Sequence, residues 1–435
     1  MRIVGLLLLC ATCSAVLAAD EAFFPLGTYW PWERLCGHAE RLGVDKWTLV
    51  DQRLDDMKAH QMDTLWVVNL NIKDLGPLAE RVAKRDMKLI PALGELHYNL
   101  EWRRNNWEYL EKESRRALEA AGSSPAILAW ALCDEPRRNI VAEVELFRQK
   151  FEQWGAKQPG IVVTMWPDTP TYARETGFPY PCTDIYPFFS DKNPNGPNPA
   201  NVSRGWYRRQ VETTVKAALE KGRVPWVMPQ MFADIWGPWK YDEKGDMTIL
   251  PGGVLHGRVP TVGETRWQVW SALGLGAQGV IFYVHESPVK DNADKPPYEG
   301  KTFPESMKAT AAAPMGSGGL IRPDGSATPQ YDALTATFAD VRKLLPVLRG
   351  AKPLDIWPVQ VAAPGWVGVL KNEALKKTYY VVVNDDTDRP SELKLTGEVK
   401  GLTDLRTGEA LKADAAGVVV VKLGAGEGTV LEGEE

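Results

Sequence analysis

One pattern constrains the chain more than any other: eight short apolar runs with strand character are interleaved with amphipathic helical stretches between about residues 24 and 350. The strand runs are "FPLGTYW" (24–30), "DTLWVVNLN" (63–71), "MKLIPALGE" (87–95), "ILAWALCDEP" (127–136), "GIVVTMWPD" (160–168), "CTDIYPFF" (182–189), "VPWVMPQMF" (224–232) and "GVIFYVHES" (279–287). Their apolar residues are continuous rather than alternating, as expected where both faces of a strand are covered. Helical spacing follows in "WTLVDQRLDDMKAHQ" (47–61), "LGPLAERVAKRD" (75–86), a charged stretch over about 102–122, "VAEVELFRQKFEQWG" (141–155), "WYRRQVETTVKAALEKG" (206–222), "ETRWQVWSALGLG" (264–276) and "YDALTATFADVRKLLPVL" (331–348). Eight such units predict a (β/α)8 barrel, the TIM-barrel architecture. An open doubly wound sheet is disfavoured, because no glycine-rich phosphate turn follows the first strand.

From residue 351 the texture changes to short alternating strands and turns, as in "KKTYYVVVNDDTDRPSELKLTG" and "GVVVVKLGAGEGTVLEGEE". This predicts a small C-terminal all-β sandwich. The organisation expected is a signal peptide over 1–19, a barrel over 20–350 and a sandwich over 351–435. The opening "MRIVGLLLLCATCSAVLAAD" has Arg2, an apolar run too short for a membrane span, and small residues before a cleavage point near Ala18 or Ala19. It predicts a secreted or periplasmic protein. The three cysteines beyond it are too few for a disulfide framework. A net charge of −5, with no basic cluster, argues against nucleic acid as a partner.

In a barrel, the residues ending each strand face a common mouth. Around the ring, the first strand offers Tyr29, Trp30 and Trp32, the second Asn69 and Asn71, the third Glu95 and His97. The fourth offers Asp134 and Glu135, the fifth Trp166 and Asp168, the sixth Asp184 and Tyr186. The seventh offers Gln230, Phe232, Asp234, Trp236 and Trp239, and the eighth Tyr283, His285 and Glu286. Carboxylates, amides and aromatics converge, with no serine elbow, nucleotide loop or metal-spaced histidine pair. No metal and no cofactor is expected. The 17 tryptophans add flat faces that suit the C–H faces of sugars as well as they suit a core. Cleavage of a glycosidic bond needs a carboxylic acid for the leaving oxygen and a second carboxylate as nucleophile or base. Asp134 beside Glu135 on an apolar strand would hold Glu135 rigidly in a place that keeps it protonated near neutral pH. The bland alternative is a solvated helix cap at "DEP".

These motifs resemble the TIM-barrel glycoside hydrolases of the clan that ends its fourth strand in Asn-Glu-Pro or Asp-Glu-Pro. "WALCDEP", "DIYP" and "RWQVWSALGLGAQGVIFY" carry the resemblance, over about residues 24–348. It implies a glycosidase acting on a poly- or oligosaccharide, with Glu135 as general acid/base. The clan's nucleophile is a glutamate ending the seventh strand, and here Gln230 stands near that place. The second carboxylate is therefore expected to be Glu286, across the barrel, or Asp234, just past the seventh strand. Asp134 with Glu135 also resembles the pair of substrate-assisted hexosaminidases. Tyr29, Trp30, Asn69, Glu95, His97, Asp134, Trp166, Asp184, Tyr186, Gln230, Trp236, Tyr283 and His285 are expected to bind substrate. A carbohydrate-binding protein without turnover is the rival from another class, and Gln230 is its warrant.

Overall fold

The computed structural model describes residues 23–93, 106–165, 167–190, 200–298, 316–356, 358–397 and 401–433. Seven parallel strands are β1 (Leu26–Pro31), β2 (Thr64–Leu70), β3 (Lys88–Leu93), β4 (Trp130–Asp134), β5 (Gly160–Met165), β6 (Cys182–Ile185) and β7 (Trp226–Pro229). Helices α1 (Trp32–Leu42), α2 (Lys46–Ala59), α3 (Ile72–Ala83), α4 (Trp107–Ala121), α5 (Val141–Gln153), α6 (Thr169–Glu175) and α7 (Ala200–Leu219) lie between them. After β7 the chain forms β8 (Asp234–Trp236), β9 (Trp239–Tyr241), β10 (Met247–Ile249) and β11 (Val254–Gly257). It then enters α8 (Val262–Gly274), the eighth barrel strand β12 (Val280–Phe282), β13 (Gly316–Ser317) and α9 (Pro329–Leu348).

The barrel sheet runs in the order β3-β2-β1-β12-β7-β6-β5-β4. It closes where the Leu89 N–H donates to Ala126 O (2.8 Å) and the Leu128 N–H donates to Leu89 O (3.0 Å). Burial on both faces explains the continuous apolar runs. Alternate residues fill the lumen, among them Trp66, Ile90, Ala131, Val163, Cys182, Trp226 and Met228. The other set, including Trp30, Val67, Leu89 and Cys133, packs outward against the helices. Capping sets one helix start with particular clarity: at α8 the Thr261 hydroxyl accepts from the Glu264 N–H (3.2 Å) and the Glu264 carboxylate accepts from the Thr261 N–H (2.8 Å). The connection after β7 is richer in structure than its sequence suggested. β10 pairs with β9, while β11 and β13 flank β8, building a small platform above the β7 end of the barrel. Among the described residues no helix is long and apolar enough to cross a membrane.

The C-terminal strands form two antiparallel sheets around an aliphatic core that includes Val367, Val382, Leu393, Val421 and Leu431. Strands β14 (Lys352–Pro353), β15 (Val359–Val361), β16 (Gly365–Asn372) and β17 (Lys377–Asn384) come first. β18 (Ser391–Gly397), β19 (Gly401–Asp404), β20 (Glu409–Lys412), β21 (Val419–Leu423) and β22 (Gly428–Gly433) complete the sandwich. The larger sheet lies on α8, so Tyr379, Val381 and Val430 share a core with Trp267 and Trp270 of the barrel. Asp385 pins this seam, accepting from the Trp267 indole (2.7 Å) and pairing with Arg208 (2.6 Å). Backbone meets backbone there: a Cβ on Gly368 would lie 1.9 Å from Gly274 O. Gly368→Leu is therefore expected to separate the sheet from α8 at a cost of about 1–3 kcal/mol. A lowered melting midpoint for the whole chain checks this, and an unchanged midpoint would sink the seam as a shared core.

Candidate active site

The mouth is built from strand ends, and a β-bulge decides what β4 presents there. Strict alternation from Ala129 and Ala131, both in the lumen, would turn Cys133 inward. The register with β5 instead slips between Ala131 and Cys133, so that Asp134 pairs with Val163. Val163 faces the lumen, so Asp134 follows it inward while Cys133 packs on the helix side. Glu135 comes next, at φ 41°, a left-handed backbone that a non-glycine residue adopts only at some cost. Its N–H donates to Val163 O (3.0 Å), and Pro136 after it disfavours a helical conformation at Glu135. On β6, Asp184 is paired with Met165 and Met228 and lies between the lumen residues Cys182 and Tyr186.

These strand ends place three carboxyl groups together. Asp184 is buried and its carboxyl is hydrogen-bonded to that of Glu135, with the Asp134 charge nearby. Burial first, then Glu135, then Asp134 push Asp184 well above the usual carboxylate range. Asp134 is raised to about 7, by burial and then by Glu135. Burial and the neighbouring carboxylates thus favour a protonated Asp184 beside Glu135. Aromatic rings wall the lumen around the pair. Tyr283 lies 4.9 Å from Tyr29, 5.1 Å from Phe232 and 5.8 Å from Tyr186, centroid to centroid. The phenol of Tyr186 is held well above its ordinary value, by burial and then by Asp184 and Glu135.

Several expected residues are elsewhere. Glu286 is fully buried behind the barrel, facing α1 and α2 rather than the lumen. Its carboxylate accepts from Arg53 Nε (2.9 Å) and lies 3.2 Å from His285 Nδ1 and 3.4 Å from His38 Nε2. Burial alone would raise its pKa, but His285, Arg53 and His38 outweigh that and hold it at about 2. Its expected place across the sugar from Glu135 is corrected to a buried ion pair. His285 is likewise enclosed, between Trp30 (5.2 Å) and Tyr331 (5.6 Å), and burial pulls its pKa down. Trp30 is part of the same outward core and offers no platform. Gln230 is buried and its amide is engaged within the protein: its Oε1 accepts from the Phe188 N–H (2.9 Å) and its Nε2 donates to Arg258 O (3.0 Å) and Phe232 O (3.2 Å). Asn69 is half-buried at the β2 end and donates to Glu33 (3.0 Å). Glu95, His97 and Trp166 lie outside the described residues.

Asp234 is buried at the start of β8. Its Oδ2 accepts from the Trp236 indole (3.1 Å) and from His256 Nδ1 (3.0 Å), and burial raises its pKa against those two partners. His256 was not singled out from the sequence. It lies in "GGVLHG" within a long connection, away from every strand end, and no local signal marked it.

The fold and the mouth define the class: a (β/α)8 barrel with an all-β sandwich packed on one of its helices. No family model matches the chain, and no curated protein matches it. Among solved structures, it is similar to a β-galactosidase from the psychrophilic Marinomonas ef1, with 12% identity and a TM-score of 0.52 over 74% of this chain and 60% of that one. A β-glucuronidase from Ruminococcus gnavus is similar over 72% of this chain and 49% of that one, with 9% identity and a TM-score of 0.49. The chain thus spans about half the length of the β-glucuronidase and 60% of the β-galactosidase. At such identities the likeness is one of fold.

Two outcomes follow. Glu286→Gln leaves the Arg53 charge buried and unpaired, and is expected to cost about 3–5 kcal/mol in urea unfolding. A stable but inactive variant would instead return Glu286 to the mouth. For Asp134, the folded pKa of about 7 exceeds the ordinary 3.8, so the native chain binds more protons than the unfolded one between those values. Stability therefore falls as pH rises through that window. Asp184 contributes with the same sign. Asp134→Asn is expected to flatten the fall, as melting midpoints from pH 4 to 8 would show.

Proposed function

We propose that the chain is a glycoside hydrolase acting on an oligo- or polysaccharide, with Glu135 as the general acid. The observation that carries this reading is the carboxyl–carboxyl contact between Glu135 and Asp184 at the mouth of the barrel. Asp184 and Asp134, both raised, keep a proton beside Glu135 near neutral pH, where a solitary carboxylate would have lost it. As the bond between the anomeric carbon and the leaving oxygen breaks, the Glu135 O–H gives its proton to that oxygen. The water that finally adds to the anomeric carbon returns its second proton to Glu135, and Asp184, itself raised, donates to the Glu135 carboxylate in the meantime. Tyr29, Tyr186, Phe232 and Tyr283 supply faces for the sugar ring. The apolar run after Arg2 supports export, and the sandwich is an accessory support for the barrel.

The contact also favours a particular source for the attacking group. Retaining pairs stand about 5–5.5 Å apart and inverting pairs about 6.5–9.5 Å apart, with the anomeric carbon between them. Carboxyls in hydrogen-bond contact leave no such gap. Glu286 is bound to Arg53, and Asp234 to Trp236 and His256. A second reading is therefore that the substrate's own 2-acetamido oxygen attacks, with Asp134 or Asp184 accepting from the acetamido N–H.

The test is a panel of p-nitrophenyl glycosides, with 2-hydroxy and 2-acetamido sugars, assayed with wild type and Glu135→Gln. Wild type is expected to cleave at least one, and Glu135→Gln to lower kcat/KM by about 10²–10⁴ while keeping its fold. Cleavage confined to 2-acetamido sugars, with retention of anomeric configuration, supports the second reading. Binding without turnover in both proteins sinks the hydrolase and leaves a carbohydrate-binding barrel.

A further inference from the structure

The platform above β7 carries a second polar arrangement, apart from the three carboxyls. Asp234 on β8 and His256 on β11 face each other across an antiparallel pair, at 3.0 Å between Oδ2 and Nδ1. The imidazole is stacked on the Trp236 indole, 4.1 Å between centroids at 13°, and the Phe189 ring meets it edge-on at 5.5 Å. The ring is thus held by a hydrogen bond at one nitrogen and by aromatic contact on its face. The indole of Trp236 also donates to Asp234 Oδ2 (3.1 Å), so this oxygen serves as an acceptor for both neighbours. The Nδ1 of His256 is then the protonated nitrogen, and Nε2 carries a lone pair. Asp234 itself is buried, but the imidazole keeps 19% of its side-chain surface open. No hydrogen bond from a described residue reaches Nε2, and it is not among the enclosed unpartnered atoms.

The dyad is also joined to the mouth. Phe189 bridges to Gly257, which lays β11 alongside the chain leaving β6, four residues beyond Ile185. Phe232, two residues before Asp234, is one of the rings around the carboxyl pair.

We infer that His256 is a further substrate-contacting residue, whose Nε2 accepts a hydrogen bond from a sugar hydroxyl, and that Asp234 is the positioning residue that fixes its tautomer. The substrate class is a glycan long enough to extend from Glu135 toward β11, so that the dyad meets the sugar beyond the one cleaved. This rests on the hydrolase reading above for its choice of ligand, but its test does not need turnover. An ionised Asp234 asks for a donor at Nδ1, and both of its hydrogen bonds fall on Oδ2.

The experiment uses the full chain in the Glu135→Gln background, with affinities for N,N′-diacetylchitobiose, lactose and cellobiose measured by titration calorimetry. For whichever disaccharide binds, adding His256→Ala is expected to weaken binding about five- to tenfold, the worth of one neutral hydrogen bond. Asp234→Ala should weaken it likewise. Asp234→Asn should retain most of the affinity, because the amide oxygen still accepts from Nδ1. In parallel, ¹⁵N NMR at pH 8 should find His256 protonated at Nδ1 with Asp234 present. A dominant Nε2–H tautomer, His256→Ala binding as tightly as its parent, or no binding of any of the three disaccharides overturns the inference. In the wild-type background the loss should fall on KM rather than kcat, whereas a merely structural role would lower the melting midpoint without that split. Full turnover by Glu135→Gln would sink Glu135 as the acid, and absence of turnover by the wild type would sink the hydrolase reading; either leaves the affinity comparison to decide His256 on its own.

Discussion

Every strand of the barrel is covered on both faces, so a side chain at a strand end has two buried destinations rather than one buried and one wet. It turns inward to the mouth or outward to the helix layer. That choice sorts the candidate residues more sharply than their chemistry does. Glu286 has the right functional group and the right strand, yet it turns outward, where a carboxylate survives only by finding Arg53, His38 and His285. Asp184, with a shorter side chain and no cationic neighbour of that kind, turns inward and meets Glu135. The same burial penalty acts on both. Opposite charge answers it outside the barrel, and a retained proton answers it inside.

The two solutions have opposite chemical consequences. Three positive or protonatable partners fix Glu286 as an anion whose pKa is far below neutrality, which suits a brace between the eighth strand and the first two helices. The inward cluster does the reverse: it raises Asp134 and Asp184 and keeps a proton in the mouth at a pH where isolated carboxylates have lost theirs. A general acid needs the second environment and would be useless in the first. Carboxylate identity along the sequence therefore says less about catalysis than which other charges the fold brings near.

The eight-unit repeat was plain in the sequence because two-sided burial writes continuous apolar runs, and "ILAWALCDEP" and "CTDIYPFF" named the strands that carry the mouth. Facing was harder to read. On β6, simple alternation places Cys182, Asp184 and Tyr186 together in the lumen, and a period of two would have sufficed. On β4 the same rule misleads, because the bulge between Ala131 and Cys133 shifts the register by one and swaps Cys133 for Asp134. Nothing in "WALCD" signals that bulge; it follows from pairing with β5. Gln230 reads as a sugar ligand from sequence, but its amide is engaged by Phe232 two residues on and by Phe188 and Arg258, the last two supplied by distant segments. His256 was invisible for the converse reason, since its partner Asp234 lies 22 residues away across a pairing between β8 and β11.

The mouth is asymmetric as a result. Acidic groups come from β4 and β6, while β7 contributes Gln230, a closed amide, and a platform of short strands that holds an Asp–His pair on an indole. Gln230, just past β7, offers an amide and no carboxylate. That amide ties the segments after β6 and β11 to one another. On the hydrolase reading proposed above, such a barrel has its proton source on one wall and its polar contacts for a longer ligand on the other. That reading then asks for an attacking group other than a carboxylate of β7, and a group carried by the substrate meets the requirement with no further demand on the chain.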